Sequence, residues 1–205
     1  MIFRNLQNYL HMKKLLLILN LILVCAFFSK PAYSQLDLIL GVSKSSITGG
    51  ESWKDPIGLQ VGASMPVLKF SENLSLRAEA NFSMQGAKWE EPFYELEGRL
   101  NLLYLNFPVV VRYQTEGGFF AEAGLQPGIL LSAKDKYEDI SEDYKDYMNI
   151  FDLSIPIGIG YQINEKFGIG FRFIPGITDI SEDEDEADRN LVFVLRGTYR
   201  LNLKK

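Results

Sequence analysis

Strict alternation of apolar and polar residues, repeated in eight segments, constrains the fold of this chain more than any other feature. From Leu74 to Gln85, apolar residues occupy every second position, and polar residues such as Arg77 and Glu79 stand between them. A period of two residues is typical of a β-strand with one apolar and one polar face. The pattern predicts strands at roughly 36–43, 58–69, 73–85, 101–114, 119–132, 150–163, 167–177 and 190–202. No helical period separates them, so we predict an all-β fold, an eight-stranded antiparallel transmembrane β-barrel that is apolar outside and polar inside.

The connections between these segments alternate between long and short. Short connections fall at 70–72, 115–118 and 164–166, and long ones at 44–57, 86–100, 133–149 and 178–189. Tight turns at one end and long loops at the other are typical of outer-membrane barrels, with both termini on the periplasmic side. Proline lacks an N–H donor, so we expect bulges or breaks in pairing at five positions, Pro66, Pro108, Pro127, Pro156 and Pro175.

The first 34 residues have the pattern of a secretory signal peptide. Two lysines follow Met12, an apolar run extends to Phe28, and small residues precede a cleavage position after Ser34. We predict that translation starts at Met12, that residues 1–34 are removed, and that residues 35–205 form the barrel domain.

Cleavage at this position would change the chemistry available to the chain. It removes Cys25 and His11, so the mature chain would hold neither residue type. Disulfides, zinc sites with nitrogen or sulfur ligands and mechanisms based on histidine or cysteine are then excluded. The segment also carries four basic residues and no acidic one, so its loss changes the formal net charge from −5 to −9. This negative net charge argues against nucleic acid as a partner of the mature chain.

Two adjacent segments resemble a known family. Residues 104–113 read Tyr-Leu-Asn-Phe-Pro-Val-Val-Val-Arg-Tyr, and residues 120–128 read Phe-Ala-Glu-Ala-Gly-Leu-Gln-Pro-Gly. They are similar to two consecutive strands of the PorT-like outer-membrane β-barrel (porin family) proteins of Bacteroidota, with mild departures at Phe107 and Arg112. The chain also lacks the terminal aromatic residue common in outer-membrane proteins. The resemblance implies residence in the outer membrane and, through the family's name-giving member, a link to type IX secretion and gliding.

Charged residues at inward-facing positions form the first candidate site. Four carboxylates can balance four arginines there, with Arg112 opposite Glu122 across the 115–118 turn and Arg200 beside Asp37 where the barrel closes. An eight-stranded interior is just wide enough for side chains to fill, which favours a salt-bridged plug over a gated pore or a proton relay. A soluble, lipocalin-like barrel would have to place these charges in an apolar core. The predicted lumen network comprises Asp37, Arg77, Glu79, Arg112, Glu122, Asp152, Arg172, Arg196 and Arg200.

Acidic residues in the last two long loops form the second candidate site. Clustered carboxylates can hold Ca²⁺ or Mg²⁺ through oxygen. No spacing here matches an EF-hand loop, however, and a solvated acidic rim is the favoured interpretation. We therefore predict no cofactor and no resident metal. The surface positions that could bind a cation are Asp183, Glu184, Asp185, Glu186 and Asp188.

Together these features predict a small non-enzymatic outer-membrane protein with a charge-plugged lumen and acidic surface loops. Barrel enzymes as families rely on a histidine, and no carboxylate pair here is marked out for glycoside hydrolysis. The expected partners are membrane lipid and lipopolysaccharide, with other envelope or secretion proteins as candidates. A component of a secretion or gliding apparatus and a narrow passive channel remain alternatives.

Overall fold

β-Strands dominate the described part of the chain. The computed structural model describes residues 35–48, 56–91, 96–137, 140–181 and 187–202, so the predicted signal peptide lies outside it. One short 3₁₀ helix, Lys145–Tyr147, stands among the strands. The strands are β1 (Gln35–Thr48), β2 (Ile57–Lys69), β3 (Leu74–Glu91), β4 (Leu96–Asn106), β5 (Val109–Gln114), β6 (Phe119–Tyr137), β7 (Ile140–Asp143), β8 (Phe151–Ser154), β9 (Ile157–Gln162), β10 (Phe167–Pro175) and β11 (Arg189–Asn202).

These strands form one antiparallel sheet that closes into a ring of eight positions. Two of the positions are each filled by two successive strands, because β4 and β5 both pair with β3 and β6, while β8 and β9 both pair with β6. The ring closes where β1 pairs with β11 along its whole length, from Gln35 opposite Asn202 to Thr48 opposite Arg189. The predicted eight-stranded antiparallel barrel is confirmed. Strand β7 lies outside the ring and, among the described strands, pairs with β6 alone.

Several strands continue well past the length that a membrane requires. Strands β3 and β6 have 18 and 19 residues, whereas about 9–11 residues span a bilayer. The prediction of a long loop at 86–100 is therefore wrong, since β3 and β4 stay paired as far as Glu91 opposite Leu96. Beyond the bilayer both faces of a strand can meet water, so the alternation that marks the membrane segments is no longer required. We call this extension the outer sheet; it consists of residues 86–91, 96–101, 132–137 and 140–143.

The prolines interrupt strand pairing at several of the expected positions, but not at every one of them. Pro108 and Pro156 lie in the gaps that separate β4 from β5 and β8 from β9, and the register shifts beside Pro66. Pro127 lies within continuous β6 and stays paired with Leu153 of β8, but pairing on its other side breaks there, between Asn106 opposite Gly128 and Val109 opposite Leu125. The Pro127 carbonyl accepts a hydrogen bond from Phe107 N, at 2.8 Å. Proline has no N–H, and an N–H at position 127 would point to the same side as this carbonyl. Because β4 has ended there, no ladder hydrogen bond is lost. Pro175 is the last residue of β10.

The two faces of the barrel have opposite character. Apolar side chains are exposed on the outside, among them Leu40, Leu59 and Phe171, which gives a band suited to lipid. No helix within the described ranges is long and apolar enough to cross a membrane. Inward-facing residues are mainly polar. At the end of the barrel that carries the long loops, however, buried side chains form an apolar cluster that we call the apolar cap, made of Ile47, Ala87, Leu100, Leu102, Tyr104, Leu130, Ala133, Met148 and Ile180.

Candidate functional site in the barrel lumen

Two glutamates and three arginines form a buried ion-pair cluster at the centre of the lumen, which we call the plug. Arg172 on β10 makes a two-pronged contact with Glu79 on β3, with Nη1 at 2.8 Å and Nη2 at 2.7 Å from the two carboxylate oxygens. Its Nε donates to Glu122 Oε1 at 2.6 Å. The guanidinium is fully buried, and three of its nitrogens are satisfied by carboxylate oxygens. This arrangement links β3, β6 and β10 across the barrel.

Arg196 and Arg112 complete the plug. Arg196 on β11 donates to Glu79 Oε2 at 3.0 Å and to Glu122 Oε1 at 2.6 Å. Arg112 on β5 donates to Glu122 Oε2 at 2.8 Å across the hairpin that both residues flank, and its guanidinium lies 4.0 Å from the centre of the Phe120 ring. Glu122 thus forms ion pairs with all three arginines of the plug. The plug fills the barrel at mid-height with charge-assisted hydrogen bonds from five strands.

A second ion-pair cluster lies nearer the short-turn end. Asp37 on β1 pairs with Arg77 on β3 at 2.5 Å and with Arg200 on β11 at 2.9 Å. Arg77 also donates to Ser64 Oγ on β2 from Nε, at 3.1 Å. Arg200 is the most exposed of these side chains, at 19%. Because Asp37 and Arg200 face each other directly on β1 and β11, this cluster ties the strands that close the ring.

Asp152 does not join either ion-pair cluster. The expected balance of four carboxylates against four arginines therefore does not occur; instead, five arginines share Asp37, Glu79 and Glu122. Asp152 pairs in register with Gly128, six residues along β6 from Glu122. Six residues of strand span about 20 Å, so the arginines of the plug cannot reach it.

Asp152 lies instead in a layer of uncharged polar residues, which we call the polar layer. Thr178 Oγ1 donates to Asp152 Oδ1 at 2.9 Å, and Asn190 Nδ2 lies 3.4 Å from Oδ2. The alternation pattern places Asn106 and Gln126 inward, but no sequence signal marks them as neighbours of Asp152. Thr178 belongs to a loop and is found only by the tertiary structure. The polar layer consists of Tyr104, Asn106, Gln126, Asp152, Ser154, Thr178 and Asn190.

The acidic loop positions are mostly beyond what the structure describes. Four of the five predicted surface residues, Asp183 to Glu186, lie outside the described residues. Asp188 is described, and its N–H donates to Asp179 Oδ1 at 3.1 Å while its carbonyl accepts from Ile180 N. Across the ranges that the structure describes, no group of three or more His, Cys, Asp or Glu side chains is placed to hold a metal ion. Cation binding by these loops stays a prediction.

Closed strands, an apolar exterior and a charged interior define an integral β-barrel protein of the outer membrane. The chain belongs to the family described as outer membrane protein beta-barrel domain, whose sequence profile matches residues 27–182. Residence in the outer membrane follows from this membership. A search of curated protein sequences found no significant match.

Solved outer-membrane barrels share the fold. Ail, the attachment invasion locus protein of Yersinia pestis, crystallised with the heparin analogue sucrose octasulfate, is similar with a TM-score of 0.50 and 16% identity, over 82% of this chain and 98% of Ail. Neisserial surface protein A is similar with a TM-score of 0.52 and 10% identity, over 82% of this chain and 96% of that protein. At these identities the likeness concerns the fold alone.

Proposed function

We propose that this protein is a closed, non-enzymatic barrel of the outer membrane that acts through its surface. The observation that carries the proposal is the obstruction of the lumen at two levels. At mid-height the plug joins five strands through buried ion pairs. Towards the long-loop end, the apolar cap buries Leu102, Tyr104 and Leu130 almost completely. An ion would have to displace both layers in order to pass.

Planar-bilayer recording tests the closed state. The purified protein should give no steady, ion-selective current steps, because buried side chains of the plug and of the cap occupy the lumen at two levels. The matched variant Glu122→Gln removes one charge that three plug arginines share and tests whether the plug is the barrier. Regular current steps from the wild-type protein would refute the closed state and restore the narrow channel.

The outer sheet is the surface that we propose for interaction with lipopolysaccharide or with other cell-surface proteins. It offers aromatic and charged groups on paired strands rather than on loops. Trp89 lies over Gly98, where any side chain would collide with the indole ring, and its Nε1 donates to Asp135 at 2.9 Å. The Tyr137 ring lies 6.3 Å from Trp89, and Lys88 is exposed on the opposite face of the same sheet. Amphipathic aromatic side chains with adjacent charges suit contact with sugar and phosphate groups.

A second proposal is a role beside a secretion or gliding apparatus, in the manner of PorT-like proteins. The sequence of residues 104–113 and 120–128 favours it. These residues form parts of β4, β5 and β6, which flank the break at Phe107 and Pro108. The resemblance therefore concerns a local feature of the barrel wall, and the partner surface would lie elsewhere.

Site-specific crosslinking in living cells separates the two proposals. A photo-crosslinking residue at Ser141, on β7 of the outer sheet, should capture lipopolysaccharide or surface proteins. The same residue at Glu116, in the turn between β5 and β6, serves as the matched position at the opposite end of the barrel. Reproducible capture of secretion or gliding proteins, above all from position 116, would favour the apparatus role. Capture from neither position would count against both proposals.

The proposal of no enzymatic activity rests on the residues of the lumen. The carboxylates of the plug, Glu79 and Glu122, are both fully engaged by arginines and buried. A catalytic carboxylate must instead reach a substrate or an activated water. Asp152 lies beneath the apolar cap and is 3% exposed, so a large substrate has no access to it.

A further inference from the structure

The polar layer contributes neither to the proposed closure of the lumen nor to the proposed surface contacts. It contains the Asp152 carboxylate, which is buried without an ion-pair partner among the described residues. We propose that the polar layer binds a monovalent hard cation such as Na⁺, coordinated by the Asp152 carboxylate and by side-chain oxygens around it. The proposal is independent of the surface role and rests on the partners that Asp152 and its neighbours have and lack.

Asp152 is a buried carboxylate. Among the described residues, the side chains that donate hydrogen bonds to it are uncharged. It accepts from the Thr178 hydroxyl at 2.9 Å and, at the long distance of 3.4 Å, from the Asn190 amide. No lysine or arginine of the described chain forms an ion pair with it. Isolated buried charges are strongly unfavourable unless a counter-charge or a bound metal neutralises them.

Several oxygens in the same layer lack a hydrogen-bond partner. They are Tyr104 Oη, Asn106 Oδ1, Gln126 Oε1 and Asn190 Oδ1, and all four side chains are at least nine-tenths buried. Asn190 already touches Asp152 through its nitrogen, so its free oxygen lies within the length of one amide group. The Asn106 amide nitrogen is also without a partner and the Tyr104 hydroxyl can donate one hydrogen, so the unpaired donors of the layer are fewer than its unpaired oxygens, and these oxygens call for an occupant.

Gly128 allows the Asn106 amide to lie between these groups. It pairs with Asn106 on one side and with Asp152 on the other, so the two polar side chains flank it on the same inward face. A side chain at Gly128 would collide with Asn106 Oδ1. The amide oxygen therefore projects over the glycine, towards the strand that carries Asp152.

A cation satisfies this layer better than a proton does. A proton on Asp152 would remove the charge but would add only one donor for the three unpaired amide oxygens of Asn106, Gln126 and Asn190. A hard cation accepts several oxygen ligands at once, from carboxylate, amide carbonyl and hydroxyl groups. The composition of the layer, with one carboxylate and several neutral oxygens, therefore matches a hard cation.

The charge count favours a monovalent ion. One carboxylate neutralises one positive charge, whereas a divalent ion would leave an excess positive charge at the site. The rest of the lumen already holds five arginines against three carboxylates. Burying a further uncompensated charge in the same interior would be unfavourable.

The test compares thermal unfolding of protein refolded in sodium chloride and in choline chloride at equal ionic strength. Choline is too large for the layer, so it screens surface charge without occupying the site. A ligand that binds only the folded state raises its stability, and we expect the melting temperature to be higher in Na⁺ by about 3 °C or more. Asp152→Asn should lose this difference. Glu142→Gln, which removes an exposed carboxylate on β7, should keep it.

Tyr104→Phe provides a second variant, because it removes one proposed ligand oxygen and preserves the shape and charge of the site. It should fold and show a smaller sodium-dependent shift than the wild type. A crystal grown with Tl⁺ should show anomalous scattering beside Asp152. An equal melting temperature in Na⁺ and choline would overturn the proposal, as would stabilisation by CaCl₂ alone. Stabilisation on acidification without a sodium effect would assign a proton to Asp152 and would also overturn it.

Discussion

At the residue scale, every basic position of the lumen network is arginine, and the contacts explain the choice. Arg172 uses three nitrogens of one planar group to hold two glutamates at 2.6 to 2.8 Å. Lysine has a single ammonium group and could not reproduce this fork. The inward face of Gly160 is filled by the Phe120 ring, over which Arg112 stacks. The plug is thus specified by side-chain shape as well as by charge.

Glu122→Gln should destabilise the barrel strongly. It keeps the volume of the side chain but removes the charge that Arg112, Arg172 and Arg196 share, which leaves buried guanidinium groups under-compensated. Loss of one partner from a buried ion pair costs about 3–5 kcal/mol. Urea unfolding of the detergent-refolded protein, followed by gel mobility of the folded and unfolded forms, should show a lower midpoint. Glu116→Gln, in the exposed turn, should leave the midpoint unchanged; equal midpoints for both variants would show that the plug contributes little.

At the element scale, the hairpin of β5 and β6 depends on one glycine of its Gly-rich turn. Gly118 has a φ of +91°, which lies in the left-handed region that other residues rarely adopt. A Cβ there would also lie 2.6 Å from the carbonyl oxygen of Gln162. Gly117, its neighbour, has only Thr115 Oγ1 nearby, at 3.9 Å, and carries no such constraint. The two glycines therefore have different roles.

Gly118→Ala should destabilise the protein by about 1–3 kcal/mol, the range for a residue held in an unfavourable backbone conformation. Gly117→Ala is the matched control and should change the stability by no more than about 0.5 kcal/mol. The same urea titration measures both variants. A larger loss for Gly117→Ala than for Gly118→Ala would contradict the backbone geometry of this turn.

At the scale of the whole molecule, the barrel combines a short membrane wall with strands that extend past it at one end only. The turns at the other end are tight, at 70–73, 115–118 and 163–166. This asymmetry, together with the rule for outer-membrane barrels, predicts that the outer sheet faces the exterior and that the turns face the periplasm.

Single-cysteine labelling of intact cells tests this orientation. A membrane-impermeant maleimide should label Ser141→Cys on the outer sheet in intact cells, and Glu116→Cys only after the outer membrane is disrupted. The parent chain should not be labelled, because the predicted cleavage removes Cys25, its only cysteine. Labelling of Glu116→Cys in intact cells would reverse the orientation, and labelling of the mature parent would contradict cleavage after Ser34.

The sequence by itself determined the strand number, the barrel and its two faces, because a membrane wall imposes a strict two-residue period on every segment that crosses it. The same rule fails outside the bilayer, which is why the extensions of β3, β4 and β6 were expected to be loops. The two-residue period of the strands places both Glu122 and Asp152 on the inward face. Their different partners do not follow from the period, because barrel shear and strand tilt decide which inward residues share a level. Only the tertiary structure brought Arg172 to Glu79 across the lumen and left Asp152 among uncharged oxygens.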